Sequence, residues 1–180
     1  MFRYVGDISE ISHYIIGEFL EHKKIAVDAT LGNGHDTDFL AENFEKVYAF
    51  DIQKCVCDNY KKKNISNVQI INDSHDKLLD YIKENVDCIM YNLGFLLGGD
   101  KHITTMHESS LESIKEGLAL LSSGGFMSIA IYRGHDEGKV EEGSILDYVK
   151  SLDKSKYGVM YHSFFNRSGD SPVLVIIEKR

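Results

Sequence analysis

The sequence predicts an α/β fold with a seven-stranded, mostly parallel sheet, helices on both of its faces and an antiparallel hairpin at the C-terminal end. Short apolar runs alternate with amphipathic stretches five times between residues 24 and 152, which is the pattern of parallel βα units. Two further strand-like runs, 157–165 and 173–179, are joined by a segment that is too short and too polar for a helix. These two strands should therefore pair as an antiparallel hairpin and complete the sheet.

The apolar periodicity assigns each element along the chain. A helix is predicted over residues 8–22, with Asp7 as its N-cap. Its apolar face consists of Ile8, Ile11, Ile15 and Phe19. The strands of the five βα units are predicted at 24–28, 46–50, 68–71, 86–91 and 126–132. Their helices are predicted at 35–43, 54–62, 76–84, 105–121 and 144–152. The run Ser122–Gly125 is predicted to end the fourth of these helices.

The bulk composition is that of one ordinary globular domain. The chain has 180 residues, of which 43% are apolar and 27% charged, and no repeat or linker divides it. We expect a single domain over residues 1–180, in which residues 1–22 form an N-terminal helical extension. No apolar run approaches the roughly 20 residues of a membrane span, and three cysteines cannot all pair. We therefore expect a cytoplasmic protein with free thiols and no membrane contact.

The net charge and the cysteine spacing exclude further classes of function. The formal net charge is −8, which argues against a protein that coats nucleic acid, because such proteins bind by neutralising phosphates. An enzyme with a local basic mouth is compatible with this charge. Cys55 and Cys57 have no second ligand pair at the spacing of a zinc site, and we expect no metal.

The most informative stretch runs from Ile25 to Thr37, where an apolar strand ends at Asp28 and a turn with Gly32 and Gly34 follows. Strand, glycine turn and helix form a nucleotide pocket in doubly wound sheets, because glycine permits a tight bend and a helix N-terminus attracts a polar ligand. The third glycine of a dinucleotide fingerprint is absent. Since Asp28 suits a cation better than a pyrophosphate, the run predicts S-adenosylmethionine, which carries a sulfonium and an ammonium.

Other residues of this turn are candidates for binding the same cofactor, namely Thr30, Asn33 and Asp36. The functional interpretation is a cradle for the amino-acid part of S-adenosylmethionine. The alternative is a tight βα turn in which Asp36 only caps the following helix. The acidic residues at the next two strand ends favour the functional interpretation.

Acidic residues also end the second and third strands. Asp51, followed by Gln53, lies 17 residues beyond the second glycine of the turn, which suits a carboxylate that binds both ribose hydroxyls. Asp73 could accept a hydrogen bond from an adenine amino group, with Ser74 in the cofactor pocket and His75 as a candidate catalytic residue at its edge. The alternative for these positions is helix capping. Three acidic strand ends in succession are a more specific signal than any one of them.

The fourth strand ends with Asn92, which is the main candidate for catalysis. An asparagine carbonyl aimed at an acceptor nitrogen would align the lone pair of that nitrogen with the methyl group, and it would lower the cost of the positive charge that grows there. Asn92 would also contact the cofactor. The alternative is an asparagine that stabilises an irregular loop.

The loop after the fourth strand and the end of the fifth strand carry the candidate basic mouth. Lys101, His102 and Arg133 are placed to meet a polyanion, whereas the lysine run 61–63 falls at the opposite edge of the sheet. His135 is a candidate catalytic residue that could take a proton from an ammonium acceptor, because only the neutral amine is nucleophilic. The alternative is a loop histidine bonded to backbone.

Taken together, these motifs resemble the bacterial tRNA 5-aminomethyl-2-thiouridine methyltransferase family, which is also labelled as rRNA methylases. Order and spacing agree from about residue 1 to residue 180. One departure is Leu97, where the family often has proline. The matching runs are Asp28–Thr37, Phe50–Gln53, Asp73–His75, Tyr91–Gly94, Gly98–Lys101 and Tyr132–His135.

The resemblance implies a Rossmann-like class I methyltransferase that moves a methyl group from S-adenosylmethionine to the exocyclic amine of 5-aminomethyl-(2-thio)uridine. The products are 5-methylaminomethyl-(2-thio)uridine at the tRNA wobble position and S-adenosylhomocysteine. It implies contact with the anticodon region of tRNA and a homodimer. The acceptor role carries over to Asn92, accompanied by His75, Lys101 and His135. The cofactor role carries over to Asp28, Gly32, Gly34, Asp51, Gln53 and Asp73.

Three alternative functions stay open at the level of the sequence. A related methyltransferase could act on ribosomal RNA or on a small-molecule amine, and the acidic net charge favours the small molecule. A non-catalytic module could bind S-adenosylmethionine without turnover, since the glycine turn requires no covalent step. A nicotinamide oxidoreductase ranks last, because the third glycine is missing and the C-terminal hairpin fits such a fold poorly.

Overall fold

The computed structural model describes residue 2 and residues 4–94, 105–134 and 136–180, with the side chain of residue 136 left aside. The strands are β1 (Ile25–Asp28), β2 (Lys46–Phe50), β3 (Val68–Ile71), β4 (Val86–Leu93), β5 (Leu121–Ile131), β6 (Tyr157–His162) and β7 (Val173–Lys179). The helices are α1 (Ile8–Phe19), α2 (His35–Asn43), α3 (Lys54–Lys61), α4 (Leu78–Tyr81), α5 (His107–Leu120) and α6 (Asp136–Lys150). A 3₁₀ turn at His75–Lys77 precedes α4.

All seven strands of the described residues form one sheet, in the order β3-β2-β1-β4-β5-β7-β6. The first five strands are mutually parallel, β7 runs antiparallel to β5, and β6 runs antiparallel to β7. This arrangement confirms the predicted mixed sheet with its C-terminal hairpin. The direction of winding reverses between β1 and β4, and in such sheets ligands bind beyond the carboxyl ends of the strands at that point.

Apolar side chains cover both faces of the sheet, as expected for strands that are buried on two sides. In β1, Val27 packs into a core with α5 and α6, whereas Ala26 packs into a second core with α1 and α2. The alternation repeats along β7, where Val175 belongs to the first core and Leu174 to the second. Helices therefore pack on both faces, as predicted.

The apolar face predicted for the N-terminal helix is partly wrong. The helix ends at Phe19, and the buried positions are Ile8, Ser12 and Ile16, which lie four residues apart. Phe19 is 66% exposed. The buried hydroxyl of Ser12 lies 2.6 Å from that of Ser128 in β5. A polar residue occupies the centre of the buried stripe, and hydrophobic periodicity therefore selected the neighbouring stripe.

Three other boundaries differ from the prediction. The fifth strand begins at Leu121, directly after α5, because the pairing shifts from Val86–Leu121 to Cys88–Phe126 and accommodates the glycine-rich run as an irregularity. The helix α6 begins at residue 136 instead of 144, since its first two turns are charged and carry no apolar stripe. The helix predicted at 76–84 is a 3₁₀ turn followed by the single-turn α4.

Two further strands end at other residues than predicted. β4 continues to Leu93, so that Asn92 lies within the strand and pairs in register with Ala130. β6 ends at His162. None of the helices in the described ranges is long and apolar enough to cross a bilayer.

Candidate active site

The glycine turn joins β1 to α2 at the switch point of the sheet. Gly32 has φ +47° and Gly34 has φ +81°, both in the left-handed region that glycine tolerates best. A Cβ atom on Gly34 would lie 2.4 Å from ring carbons of Tyr60 in α3. The Tyr60 hydroxyl donates to Asp38 Oδ1 at 2.8 Å. The turn therefore packs tightly against α3, and only glycine fits at position 34.

Asp28 stabilises this turn from inside. The side chain is fully buried; Oδ1 accepts a hydrogen bond from the Thr30 N–H at 3.0 Å and Oδ2 accepts one from the Thr37 hydroxyl at 2.5 Å. Burial, followed by the nearby charge of Asp36, raises the pKa of Asp28 to about 7. Both recorded partners belong to the turn and to the start of α2, while the predicted contact with the cofactor stays a prediction.

Asp51 connects the end of β2 to the same turn. Its Oδ2 accepts from the Gly32 N–H at 3.0 Å and its Oδ1 accepts from the Gln53 N–H at 2.8 Å. Partial burial raises the pKa of the Asp51 carboxyl above its usual value. Each carboxylate oxygen has capacity for a second hydrogen bond. The geometry is therefore compatible with the predicted ribose contact.

The end of β3 is divided between a paired aspartate and a buried histidine. Asp73 accepts hydrogen bonds from Lys77 Nζ at 2.7 Å, from the Tyr81 hydroxyl at 2.8 Å and from the Ser74 N–H at 2.8 Å. The bond from Lys77 is the largest cause that lowers the pKa of Asp73. These contacts hold Asp73 toward its own helix, and its adenine contact stays a prediction.

His75 lies beside the glycine turn with one ring nitrogen unused. Its Nδ1 is 3.1 Å from the carbonyl of Ala29, so Nδ1 carries the proton and Nε2 is an acceptor. Burial lowers the pKa of His75, which favours the neutral ring. Among the described buried side-chain atoms, Nε2 is one of three without a hydrogen-bond partner, together with Asp76 Oδ1 and Asn92 Oδ1.

Asn92 is held at two points and leaves its carbonyl oxygen unpaired. Its backbone N–H donates to Thr30 Oγ1 at 2.7 Å, and its Nδ2 donates to Asp36 Oδ2 at 2.5 Å. Because a carboxylate only accepts, Asp36 fixes which end of the carboxamide faces it. The opposite end, Oδ1, is buried without a partner in the described residues. A buried acceptor without a donor is costly, and it suits a ligand N–H.

Asp36 also contacts the N-terminal helix, which the sequence did not predict. His13 Nε2 lies 2.7 Å from Asp36 Oδ1, and the His13 ring stacks on Phe39 with 4.1 Å between ring centroids. Asp36 does not cap α2, since Gly34 is the N-cap and receives no side-chain bond. The spacing of α1 contains no signal for this contact, because a helix outside the βα units can pack on several surfaces.

The remaining predicted site residues are dispersed. The Arg133 side chain, largely buried, donates from Nε to the Ser171 carbonyl at 2.8 Å and from Nη1 to Glu142 Oε1 at 2.6 Å. These bonds use N–H groups on two edges of the guanidinium. Its contact with a polyanion stays a prediction. Asn33 is exposed in the glycine turn, and Gln53 and Ser74 precede helical turns. Lys101, His102 and His135 lie outside the described residues.

The strand order, with β7 inserted antiparallel between β5 and β6, and a glycine turn at the switch point are the architecture of S-adenosylmethionine-dependent methyltransferases, and this protein is one of them. More particularly, the chain belongs to the family described as "Putative rRNA methylase", whose model matches residues 47–178. The protein is thus a methyltransferase that acts on RNA with S-adenosylmethionine as cofactor.

Three relatives show how far the similarity extends. The chain is 29% identical over 190 residues to the chloroplastic tRNA (mnm(5)s(2)U34)-methyltransferase of Arabidopsis thaliana, which covers 96% of this chain and 69% of that protein. A structure described as a putative rRNA methylase from Clostridium thermocellum has a TM-score of 0.93 at 35% identity, over 98% of this chain and 99% of the other. A Streptococcus mutans protein described as a putative methyltransferase, in complex with S-adenosylhomocysteine, has a TM-score of 0.88 at 36% identity over the same shares.

The residues of the pocket suit this cofactor. The glycine turn allows close approach, and Asp51 has capacity for two hydroxyl donors. Two buried acceptors at the ends of β3 and β4 lack partners within the described ranges. When bound, S-adenosylmethionine supplies a methyl group on a positively charged sulfur.

We expect Gly34→Ala to lower the free energy of unfolding by roughly 2 to 4 kcal/mol, because the new methyl group meets the Tyr60 ring and the backbone is left-handed. Gly143→Ala is the matched control, since nothing lies within 4 Å of that position in α6. The control should raise stability by about 0.5 to 1 kcal/mol. Urea denaturation of the three proteins measures both effects. Equal stability of wild type and Gly34→Ala would contradict the packing described.

The raised pKa of Asp28 predicts a pH-dependent stability. Between the ordinary value of 3.8 and about 7, the folded protein keeps the Asp28 proton that the unfolded chain has lost, and rising pH therefore destabilises the fold. Asn at this position cannot ionise. As the pH rises from 4 to 7, the wild type should lose unfolding free energy relative to Asp28→Asn, by at most about 4 kcal/mol.

Asp153→Asn is the control for this experiment, because hydrogen bonds from Ser155 lower the pKa of the exposed Asp153 carboxyl. The unfolding free energy of Asp153→Asn should be lower than that of the wild type at neutral pH, and this deficit should become smaller as pH falls. Denaturation midpoints across the pH range test both variants. A difference between wild type and Asp28→Asn that stays constant with pH would refute the assignment.

Proposed function

We propose that the protein methylates the exocyclic amine of 5-aminomethyl-(2-thio)uridine at the wobble position of tRNA. The observation that carries the proposal is the buried Oδ1 of Asn92 at the carboxyl end of β4, which has no hydrogen-bond partner among the residues that the structure describes. A primary amine has two N–H groups and one lone pair, so that it can donate to this oxygen while its lone pair points elsewhere. The similarity to the chloroplastic tRNA methyltransferase supports the choice of acceptor.

In this proposal Asn92 positions the acceptor and stabilises the product charge. The amine donates one N–H to Oδ1, and this bond directs the nitrogen lone pair toward the methyl group. The new C–N bond forms as the C–S bond breaks, leaving a secondary ammonium and S-adenosylhomocysteine. The carbonyl dipole of Asn92 favours the positive charge that develops on nitrogen, and it is already oriented before reaction.

The pocket residues divide the cofactor between them. We assign the ribose hydroxyls to Asp51, whose oxygens already accept from Gly32 and Gln53 and retain capacity. We assign the amino group of adenine to Asp73, and we place His75, whose neutral ring has Nε2 as an acceptor, at the edge of the site on the side of the methyl acceptor. Asp28 contributes by holding the turn in shape.

The substrate must reach the site as the neutral amine. The proton acceptor in this proposal is His135, with Lys101, His102 and Arg133 contacting the anticodon region of the tRNA. A homodimer and a single-domain protomer over residues 1–180 complete the proposal.

Ribosomal RNA is the second candidate substrate, because the description of the family names it. The two candidates differ in the product that forms. Labelled methyl from S-adenosylmethionine is offered to total tRNA and to ribosomal RNA from cells that lack this enzyme, and the nucleosides are separated by mass. The proposal predicts label in 5-methylaminomethyl-(2-thio)uridine from tRNA. Label confined to ribosomal RNA would replace the proposed substrate by the alternative.

We expect Asn92→Ala to lower kcat for methyl transfer by about 10²-fold, the usual effect of removing one preorganised polar group from a developing charge. The affinity for S-adenosylhomocysteine, measured by calorimetry, should change by less than about threefold, because one contact among several is lost. Asn59→Ala in α3 is the control, since Asn59 is exposed and bonds only to Lys62 among its recorded side-chain partners. Wild-type kcat in Asn92→Ala would remove Asn92 from the mechanism.

A further inference from the structure

We propose that His13 of the N-terminal helix is a positioning residue for methyl transfer, which acts on Asn92 through Asp36. This inference rests on the proposed function and deepens it. The three side chains are joined by two hydrogen bonds, His13 Nε2 to Asp36 Oδ1 at 2.7 Å and Asn92 Nδ2 to Asp36 Oδ2 at 2.5 Å. Each carboxylate oxygen of Asp36 thus contacts one of the two partners.

The position of Asp36 makes a second donor necessary. Asp36 is 4% exposed, and the fully buried Asp28 carboxyl is close enough for the two charges to interact. A buried carboxylate is costly unless its oxygens are paired. The amide of Asn92 satisfies one oxygen, and the imidazole N–H of His13 satisfies the other. Without His13, Asp36 Oδ1 would lose its recorded partner.

The His13 ring is itself fixed by the fold. It stacks nearly parallel on Phe39 of α2, with an angle of 5° between the ring planes. The preceding residue, Ser12, is buried and hydrogen-bonded to Ser128 of β5. Ile16, one turn later, is fully buried in the core. The imidazole therefore approaches Asp36 from a helix that packs on the core.

The consequence concerns the direction of the Asn92 carbonyl. If Asp36 lost its bond to His13, its carboxylate could rotate toward solvent or toward another donor. The carboxamide of Asn92 would then lose the one side-chain partner that it has among the described residues. The acceptor amine would then meet a carbonyl oxygen with a broad range of orientations. Loss of orientation lowers the rate of the bound complex more than it lowers binding.

Two substitutions separate the hydrogen bond from the packing. His13→Phe keeps a ring that can stack on Phe39 but removes the donor. His13→Gln keeps an N–H at nearly the reach of Nε2 but removes the ring. His22→Ala is the control, since His22 is an exposed histidine that follows α1. All proteins are compared in methyl transfer to tRNA, in affinity for S-adenosylhomocysteine and in melting temperature.

The expected result is a split between kcat and KM. His13→Phe should lower kcat about tenfold, the effect of losing one hydrogen bond to a charged group, with KM for tRNA and the S-adenosylhomocysteine affinity within about twofold of wild type. His13→Gln should recover kcat to within about threefold, and His22→Ala should match wild type. Wild-type kcat in His13→Phe would overturn the proposal, and so would equal losses in Phe and Gln variants. If His13→Phe does not fold, His13→Asn, which is polar but too short to reach Asp36, takes its place.

A measurement without turnover tests the same network. The side-chain amide of Asn92 is identified in a ¹⁵N spectrum by its absence in Asn92→Ala. We expect its proton resonances to shift in His13→Phe and to keep their wild-type positions in His13→Gln. Unchanged resonances in His13→Phe would overturn the proposal. If the wild type transfers no methyl group to tRNA, the proposed function fails, while this spectrum still decides whether His13 orients Asn92.

Discussion

The buried carboxylate of Asp36 is the group on which the arrangement of this site depends. It accepts one hydrogen bond from Asn92 and one from His13, and because it can only accept, it determines that the Asn92 carbonyl faces away from it. The three side chains come from α2, β4 and α1. The first βα unit, the central strand and the N-terminal helix must therefore pack together before the carbonyl has a defined direction. This dependence connects a helix outside the βα units to the orientation of Asn92.

Two further acidic residues, Asp28 and Asp51, hold the glycine turn that precedes Asp36. Asp28 accepts from the turn and from the first turn of α2, and Asp51 accepts from Gly32. Burying carboxylates this close together costs free energy, as the raised pKa values of both residues indicate. The backbone N–H groups of the turn offset part of that cost. The turn reaches these carboxylates because Gly34 has no side chain and can pack directly against the ring of Tyr60. Buried charge is thus concentrated at the glycine turn, which is typical of functional sites.

The sequence predicted the sheet well for two local reasons. Alternating strands and helices indicate parallel strands, and the lack of a helix between the last two strands indicates an antiparallel hairpin. It placed Asn92 at the correct strand end for the same local reason. It missed the first half of α6 and the early start of β5, since a charged helical turn and a glycine-rich strand have no periodic apolar signal. It could not find the contact between His13 and Asp36. That contact depends on which surface α1 covers, and the buried stripe of α1 is centred on a serine rather than on apolar residues. Tertiary packing, and no local pattern, determines this part of the site.

The most direct test of the role of Asp36 is a double-mutant cycle between Asp36 and Asn92, measured as the single-turnover rate of methyl transfer to tRNA with saturating S-adenosylmethionine. Asp36→Asn replaces the carboxylate by an amide that can also donate. The Asn92 carboxamide can then rotate by half a turn and exchange the positions of its oxygen and nitrogen. If Asp36 acts by orienting Asn92, the two single variants should be slowed by similar factors, and the double variant should be no slower than Asn92→Ala alone. If the two factors multiply in the double variant, Asp36 contributes to the rate independently of Asn92, and the orienting role of its carboxylate is refuted.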